Sequence, residues 1–290
     1  MNKTAIVTDS NSGITQALAK ELGVFVVPMP FLVNGESFFE DISLTQDEFY
    51  EKLTGDVPVS TSQPLVGDLL AFWDNVLKDY DDMVYIPMSS GLSESCASAK
   101  VLANDYNGRV QVVDNQRISV TQRQSVYDAQ VLLTRGLSAP EIKDYLEETK
   151  FDSSIYIALE TLKYLKKGGR ITPAAAAVGS VLHLRPVLQI QGERLDKYRM
   201  NTVTMKQAKQ AMVAGIKNDL ETRFKEYRAN GEMTISVAHT QNYDKATEFK
   251  NELAALFPDV PTTFCDPLSL SVSCHIGPGA LACTCTRIVK

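Results

Sequence analysis

Residues 4–33 read TAIVTDSNSGITQALAKELGVFVVPMPFLV, and this stretch decides the fold class. A β-rich run over 5–8 ends at Asp9 and Ser10, a helix-spaced run follows over 14–22, and a second apolar run covers 25–33. Strand, helix, strand in so short a span is the βαβ rhythm of a parallel sheet. Working outward, Asn34-Gly35 is a strong hairpin pair, because both central residues of a type I′ turn need positive φ, so 36–39 is expected as a return strand. Thr45 with Glu48 and Ser138 with Glu141 have capping-box spacing, the second pair around Pro140 in a first turn, and they predict two helix starts. Runs over 83–88 and 110–114 read as further buried strands, each followed by a helical stretch. An N-terminal α/β domain with a parallel sheet between two helix layers is the expectation, closed by a helix over 140–149.

The rhythm changes near Asp152-Ser153-Ser154. A strand over 155–159, a short helix ending at Gly168-Gly169, an alanine-rich helix after Pro173 and a hairpin over 185–201 turning at Gly192-Glu193 come next. A long helix, strand, helix and strand complete the chain. That order predicts a C-terminal α+β two-layer domain, an antiparallel sheet with helices on one face. The domains are therefore expected at 1–152 and 153–290, with a ligand sought at their junction. A length of 290 residues agrees with two hydrophobic cores.

Composition narrows the function. With 44% apolar and 22% charged residues the chain is an ordinary globular protein, and its net charge of -6 argues against nucleic acid or an anionic membrane as main partner. Membrane contact is expected to be transient at most. The longest apolar run, 24–33, is interrupted by Pro28 and Pro30 and falls short of the ~20 residues of a spanning helix. No signal-peptide pattern opens the chain, so a cytoplasmic protein is expected, and its five cysteines without CxxC spacing should be reduced.

Four polar turns stand out. Ser60-Thr61-Ser62-Gln63-Pro64 precedes an amphipathic stretch, and Ser89-Ser90-Gly91-Leu92-Ser93 follows the strand over 83–88. Both put hydroxyls at a helix start, where unpaired N–H groups and a partial positive charge suit a carboxylate; simple capping is the plainer alternative. Leu165-Lys166-Lys167-Gly168-Gly169-Arg170 reads as a helix end, with Arg170 just past the cap and able to meet an anion or a partner. In His275-Ile276-Gly277-Pro278-Gly279-Ala280, Gly277 and Gly279 would let the backbone approach a ligand, while the histidine could equally be a packed core residue. Asp9 and Ser10 either orient the hydroxyl turns or cap the next helix.

Taken together, these segments resemble the DegV family of fatty-acid-binding proteins. The resemblance runs through residues 4–10, Thr61-Ser62-Gln63-Pro64, Leu92-Ser93, Gly168-Gly169-Arg170, Arg185-Pro186-Val187-Leu188 and 275–280, and so spans nearly the whole chain. It implies a two-domain fold with a long-chain fatty acid between the domains, its carboxylate held by Thr61, Ser62, Ser93 and His275. Arg170, Gly277, Gly279 and Asp9 would support that site or face a partner. It further implies a separate ATP-dependent fatty-acid kinase as partner, to which the bound acid is presented for acyl-phosphate formation in phospholipid synthesis. Two positions depart from the family pattern: Glu94 stands where glycine is usual, and Val203 where an arginine commonly precedes threonine.

The residues themselves bear on the same question. Neither GxxxxGK[ST] nor GxGxxG occurs, so no nucleotide or other cofactor is expected. The enzyme alternative is a serine hydrolase acting on a lipid ester through Ser93, Asp266 and His275, in the chain order of α/β-hydrolases. Its elbow is incomplete, because Ser95 replaces the last glycine of GxSxG. Cys265, Cys274, Cys283 and Cys285 fit no standard zinc spacing and read as buried apolar thiols. His183 and His239 read as packing residues.

Overall fold

A computed structural model describes residues 2–40, 42–55, 57–169, 184–192 and 194–290. The chain divides into two compact units, Met1–Lys150 with Val289, and Phe151–Ile288 with Lys290. The strands of the first are β1 (Thr4–Asp9), β2 (Phe25–Val27), β3 (Pro30–Val33), β4 (Glu36–Phe39), β5 (Val59–Thr61), β6 (Asp82–Ile86) and β7 (Val110–Val112). Four of them form a parallel sheet in the order β2-β1-β6-β7. The other three form a small antiparallel sheet in the order β4-β3-β5.

The apolar run over 25–33 is thus two strands in two sheets. Pro28 has no N–H for a ladder, so the first sheet loses the chain there and β3 begins again at Pro30. The hairpin at Asn34-Gly35 forms with φ of 54° and 83°. β1 and β6 are buried on both faces, which explains their unbroken apolar character. Ile6, Val84 and Ile86 pack toward Val126, Ile142 and Leu146 of the helices Val120–Thr134 and Ala139–Glu148. On the opposite face, Val7, Met83 and Tyr85 pack with Leu69, Trp73 and Cys96 of the helices Val66–Val76 and Ser95–Ala103. Both capping boxes are present, the Glu48 carboxylate accepting from the Thr45 N–H at 2.9 Å and Glu141 from the Ser138 N–H at 2.8 Å.

In the second unit, β8 (Ser153–Ala158), β9 (Val187–Ile190), β10 (Asp196–Arg199), β11 (Met233–His239), β12 (Thr262–Pro267) and β13 (Leu281–Arg287) make one sheet in the order β10-β9-β8-β13-β11-β12. It is mixed where an antiparallel sheet was expected: β12 runs parallel to β11. The helix Tyr243–Leu256 between them is the crossover that a parallel pair requires. This helix and Met205–Glu221 cover one face, with Met212, Ile216, Phe249 and Leu253 packed over Tyr156, Val237, Cys283 and Cys285. Among the described residues no helix is long and apolar enough to cross a membrane.

Candidate functional site

In the first unit the candidate residues Asp9 and Ser93 lie respectively at the end of β1 and beyond the end of β6, the strands between which the strand order reverses. Asp9 ends β1, wholly buried, and its carboxylate accepts from the Asn11 N–H at 3.0 Å, the Met88 N–H at 2.9 Å and Gln122 Nε2 at 3.0 Å. Burial outweighs these donors and pushes its carboxyl up to about 6. Of the two roles that the sequence left open, Asp9 fills the capping one. It caps the short turn Ser10–Ser12, and through Met88 it fixes the entry to the Ser89–Ser93 segment. Gln122 was not anticipated; from the helix Val120–Thr134 it reaches Thr8 Oγ1, Asp9 and the Ile86 carbonyl at once, and only the folded sheet brings those three together.

The Ser89–Ser93 segment is held from several directions. The Ser89 N–H donates to the Arg117 carbonyl at 2.9 Å, the Ser90 N–H to Asp114 Oδ1 at 3.4 Å, and the Gly91 N–H to Ser89 Oγ at 3.2 Å. Ser93 is half-buried; its Oγ accepts from the Ser95 N–H at 3.2 Å and donates to Ser95 Oγ at 3.0 Å. Glu94, the departure from the family pattern, is exposed. The other turn differs from a simple cap. Thr61 belongs to β5, paired with Phe31, and the helix begins only at Val66, with Leu65 at its cap position and no side-chain cap bond. In the helix Ser95–Ala103 the cap residue Glu94 makes no side-chain cap bond either, and the first helical N–H is taken by Ser93 Oγ. Ser98 Oγ donates to Gln63 Oε1 at 2.8 Å, so Thr61-Ser62-Gln63 and the helix behind Ser93 stand together. Ser62 is exposed and donates to the Gln63 carbonyl at 2.7 Å.

In the second unit His275 lies in the helix Leu270–Ile276, half-buried, and Gly277 and Gly279 follow with φ of 77° and 82°. These glycines are approached by the protein's own side chains. A Cβ on Gly277 would overlap the Tyr164 ring, and one on Gly279 would lie 2.7 Å from Glu160 Cγ. A Cβ on Gly168 would overlap the His275 imidazole at Nδ1. Glycine at all three positions lets the helix Lys163–Gly168 lie against the turn and seat the histidine. Arg170, the alanine-rich segment after Pro173, His183 and Glu193 lie outside the described residues.

Ser93 lacks the geometry of a nucleophile elbow. It stands well past the end of β6, and it is not among the described non-glycine residues with positive φ, which are Asn34, Asn107, Gln116, Ser119 and Gln241. Cys283 and Cys285 are wholly buried in the core of the second unit, where burial raises both thiols, so they pack as small apolar groups. His239 is buried and accepts at Nδ1 from the Asn242 N–H, as expected of a packing residue.

Compared with known proteins, residues 3–287 match the profile described as "Uncharacterised protein, DegV family". A DegV domain-containing protein of Halalkalibacterium halodurans is 28% identical over 97% of this chain and 97% of its own. Among solved structures, a fatty-acid-binding DegV family protein from Thermus thermophilus is 27% identical and superposes with a TM-score of 0.88, covering 99% of this chain and 100% of its own. DegV from Bacillus subtilis, described as a fatty acid binding protein, is 26% identical with a TM-score of 0.83 over 99% of this chain and 100% of its own.

Proposed function

The chain belongs to the DegV family, and on that footing we propose that it binds a long-chain fatty acid and performs no chemistry on the acid alone. The observation that carries this reading is the bond from Ser98 to Gln63 in the first unit, which joins two hydroxyl-bearing segments, Thr61-Ser62 and Ser93, each at the approach to a helix. Hydroxyl and backbone N–H groups gathered at helix starts are the donor types that suit a carboxylate, an acceptor-only anion. His275 is proposed as a further donor from the second unit, with Asp9 supporting the hydroxyl segments and Gly277 and Gly279 shaping the backbone beside the histidine. Arg170 keeps the role of an anion or partner contact that the family resemblance implies.

The energetics agree. Burying an acyl chain yields ~0.8 kcal/mol per methylene, so about a dozen methylenes contribute roughly 10 kcal/mol. That offsets an association cost of ~4–15 kcal/mol, provided the carboxylate keeps its hydrogen bonds. The protein is read as a cytoplasmic carrier that presents its acid to a separate fatty-acid kinase for acyl-phosphate formation.

Native mass spectrometry of gently purified protein should show an added mass in the long-chain fatty-acid range. A ligand-free protein that also ignores added oleate would end the reading. The kinase role is tested separately: the cognate kinase should form acyl phosphate from the bound acid only when this protein is present. Acyl phosphate formed equally well without it would leave a carrier that serves some other consumer.

A further inference from the structure

The turn that follows His275 is held by a residue that no motif marks. Thr240, fully buried just beyond β11, makes four hydrogen bonds to it. Its N–H donates to the Ala280 carbonyl at 3.1 Å and its carbonyl accepts from the Gly279 N–H at 2.8 Å. Its Oγ1 donates to the Gly277 carbonyl at 2.6 Å and accepts from the Ala280 N–H at 2.8 Å. Asn242, two residues on, adds Nδ2 to the Gly279 carbonyl at 3.3 Å. The loop carrying Thr240 is itself braced by the buried imidazole of His239, whose Nδ1 accepts from the Asn242 N–H at 3.3 Å.

Thr240 thus satisfies, from one side chain and one peptide unit, backbone groups at Gly277, Gly279 and Ala280 that have lost regular helix and strand partners. The turn has a second constraint on its other contacts, because Gly168, Tyr164 and Glu160 meet His275, Gly277 and Gly279 so closely that no Cβ fits between them. A backbone fixed by Thr240 and a ring seated on Gly168 leave the imidazole little freedom to lose when it meets a ligand. Affinity gains from such preorganisation.

We infer that Thr240 is a positioning residue for His275, acting through the Gly277–Ala280 backbone. The inference rests on the reading of His275 as a carboxylate donor, and its test separates the two. Thr240→Val keeps the volume and removes both Oγ1 bonds, whereas Thr240→Ser keeps them. In the ligand-free protein, Thr240→Val should shift the NMR resonances and titration of the His275 imidazole, and calorimetry should show oleate affinity reduced about tenfold, the scale of one or two lost buried hydrogen bonds. Thr240→Ser should restore both. A lower melting temperature with His275 resonances unmoved would reduce Thr240 to a structural role and overturn the inference. Shifted resonances with unchanged oleate affinity would uphold the positioning and instead remove His275 from the ligand. If Thr240→Val does not fold, Asn242→Ala at a half-buried position takes its place; it must move His275 in the same way more weakly, and an unmoved resonance again overturns the inference.

Discussion

The absence of one methyl group at residue 168 places the histidine. Gly168 ends the helix Lys163–Gly168 at a helical backbone conformation, so alanine there is free of backbone strain and its Cβ is the whole perturbation. Gly168→Ala should fold, displace the imidazole of His275 and lower oleate affinity on the order of tenfold, which titration calorimetry of the variant measures; an unchanged affinity would mean that the ring's position does not matter to binding. Asp9 gives a second prediction at this scale, through pH. Its carboxyl titrates near 3.8 in a model peptide and about 6 in the fold, so between those values the folded state binds the extra proton. The stability it contributes is complete below the lower value and lost as pH rises through the upper one, a change on the order of 2–3 kcal/mol at ~1.4 kcal/mol per unit. Urea midpoints of the wild type relative to Asp9→Asn should therefore be higher at about pH 4 than at about pH 7. A difference that ignores pH would place the native carboxyl near its ordinary range.

At the scale of elements, the bond between Gln63 and Ser98 joins a segment after β5 to the helix behind Ser93, and the proposed carboxylate site depends on their staying together. Gln63→Ala and Ser98→Ala should each weaken oleate binding by a few-fold, and the double variant should be no worse than either single one, with a coupling of about 0.5–1 kcal/mol. Strictly additive losses would mean that the two turns act independently. This pairing also marks how far the sequence can be read. Thr45 with Glu48, Ser138 with Glu141 and Asn34-Gly35 were legible because each bond or dihedral preference spans only a few residues. β5 was not: Val59-Ser60-Thr61 is short and polar, reads as a helix approach, and becomes a strand only because β3 is beside it. Strand direction failed for the same reason at β12, whose parallel pairing follows from where the intervening helix crosses. The candidates Thr61, Ser93 and His275 stand in turns that the sequence displays, but Gln122 and Thr240 could not be found there, since their bonds run to residues about 35 to 115 positions away.

Over the whole molecule, charge and mass action set what the proposed fatty-acid binder can do. A net charge of -6 repels anionic bilayers, and although Leu65 and Val66 are exposed beside the Thr61-Ser62 segment, two side chains bury too little area to anchor a protein. The protein should therefore take up oleate from vesicles without cosedimenting with them, at low and at high salt alike. Stable binding to anionic vesicles at low salt would contradict this and point to a local basic face strong enough to outweigh the net charge. Uptake without docking requires that the ligand be held by the folded protein alone, and such a ligand must stabilise it by RT ln(1 + [L]/Kd). At free oleate about a hundred times Kd the gain is roughly 2.7 kcal/mol, enough to raise the melting temperature by several degrees for a chain of this size. The rise should grow with the logarithm of oleate concentration, shrink in Gly168→Ala and Thr240→Val by the amount their affinities fall, and be smaller for an alkane of equal length that lacks the carboxylate. An alkane that stabilises as well as oleate would show the acyl chain, and not Thr61, Ser62, Ser93 and His275, to be what the protein recognises.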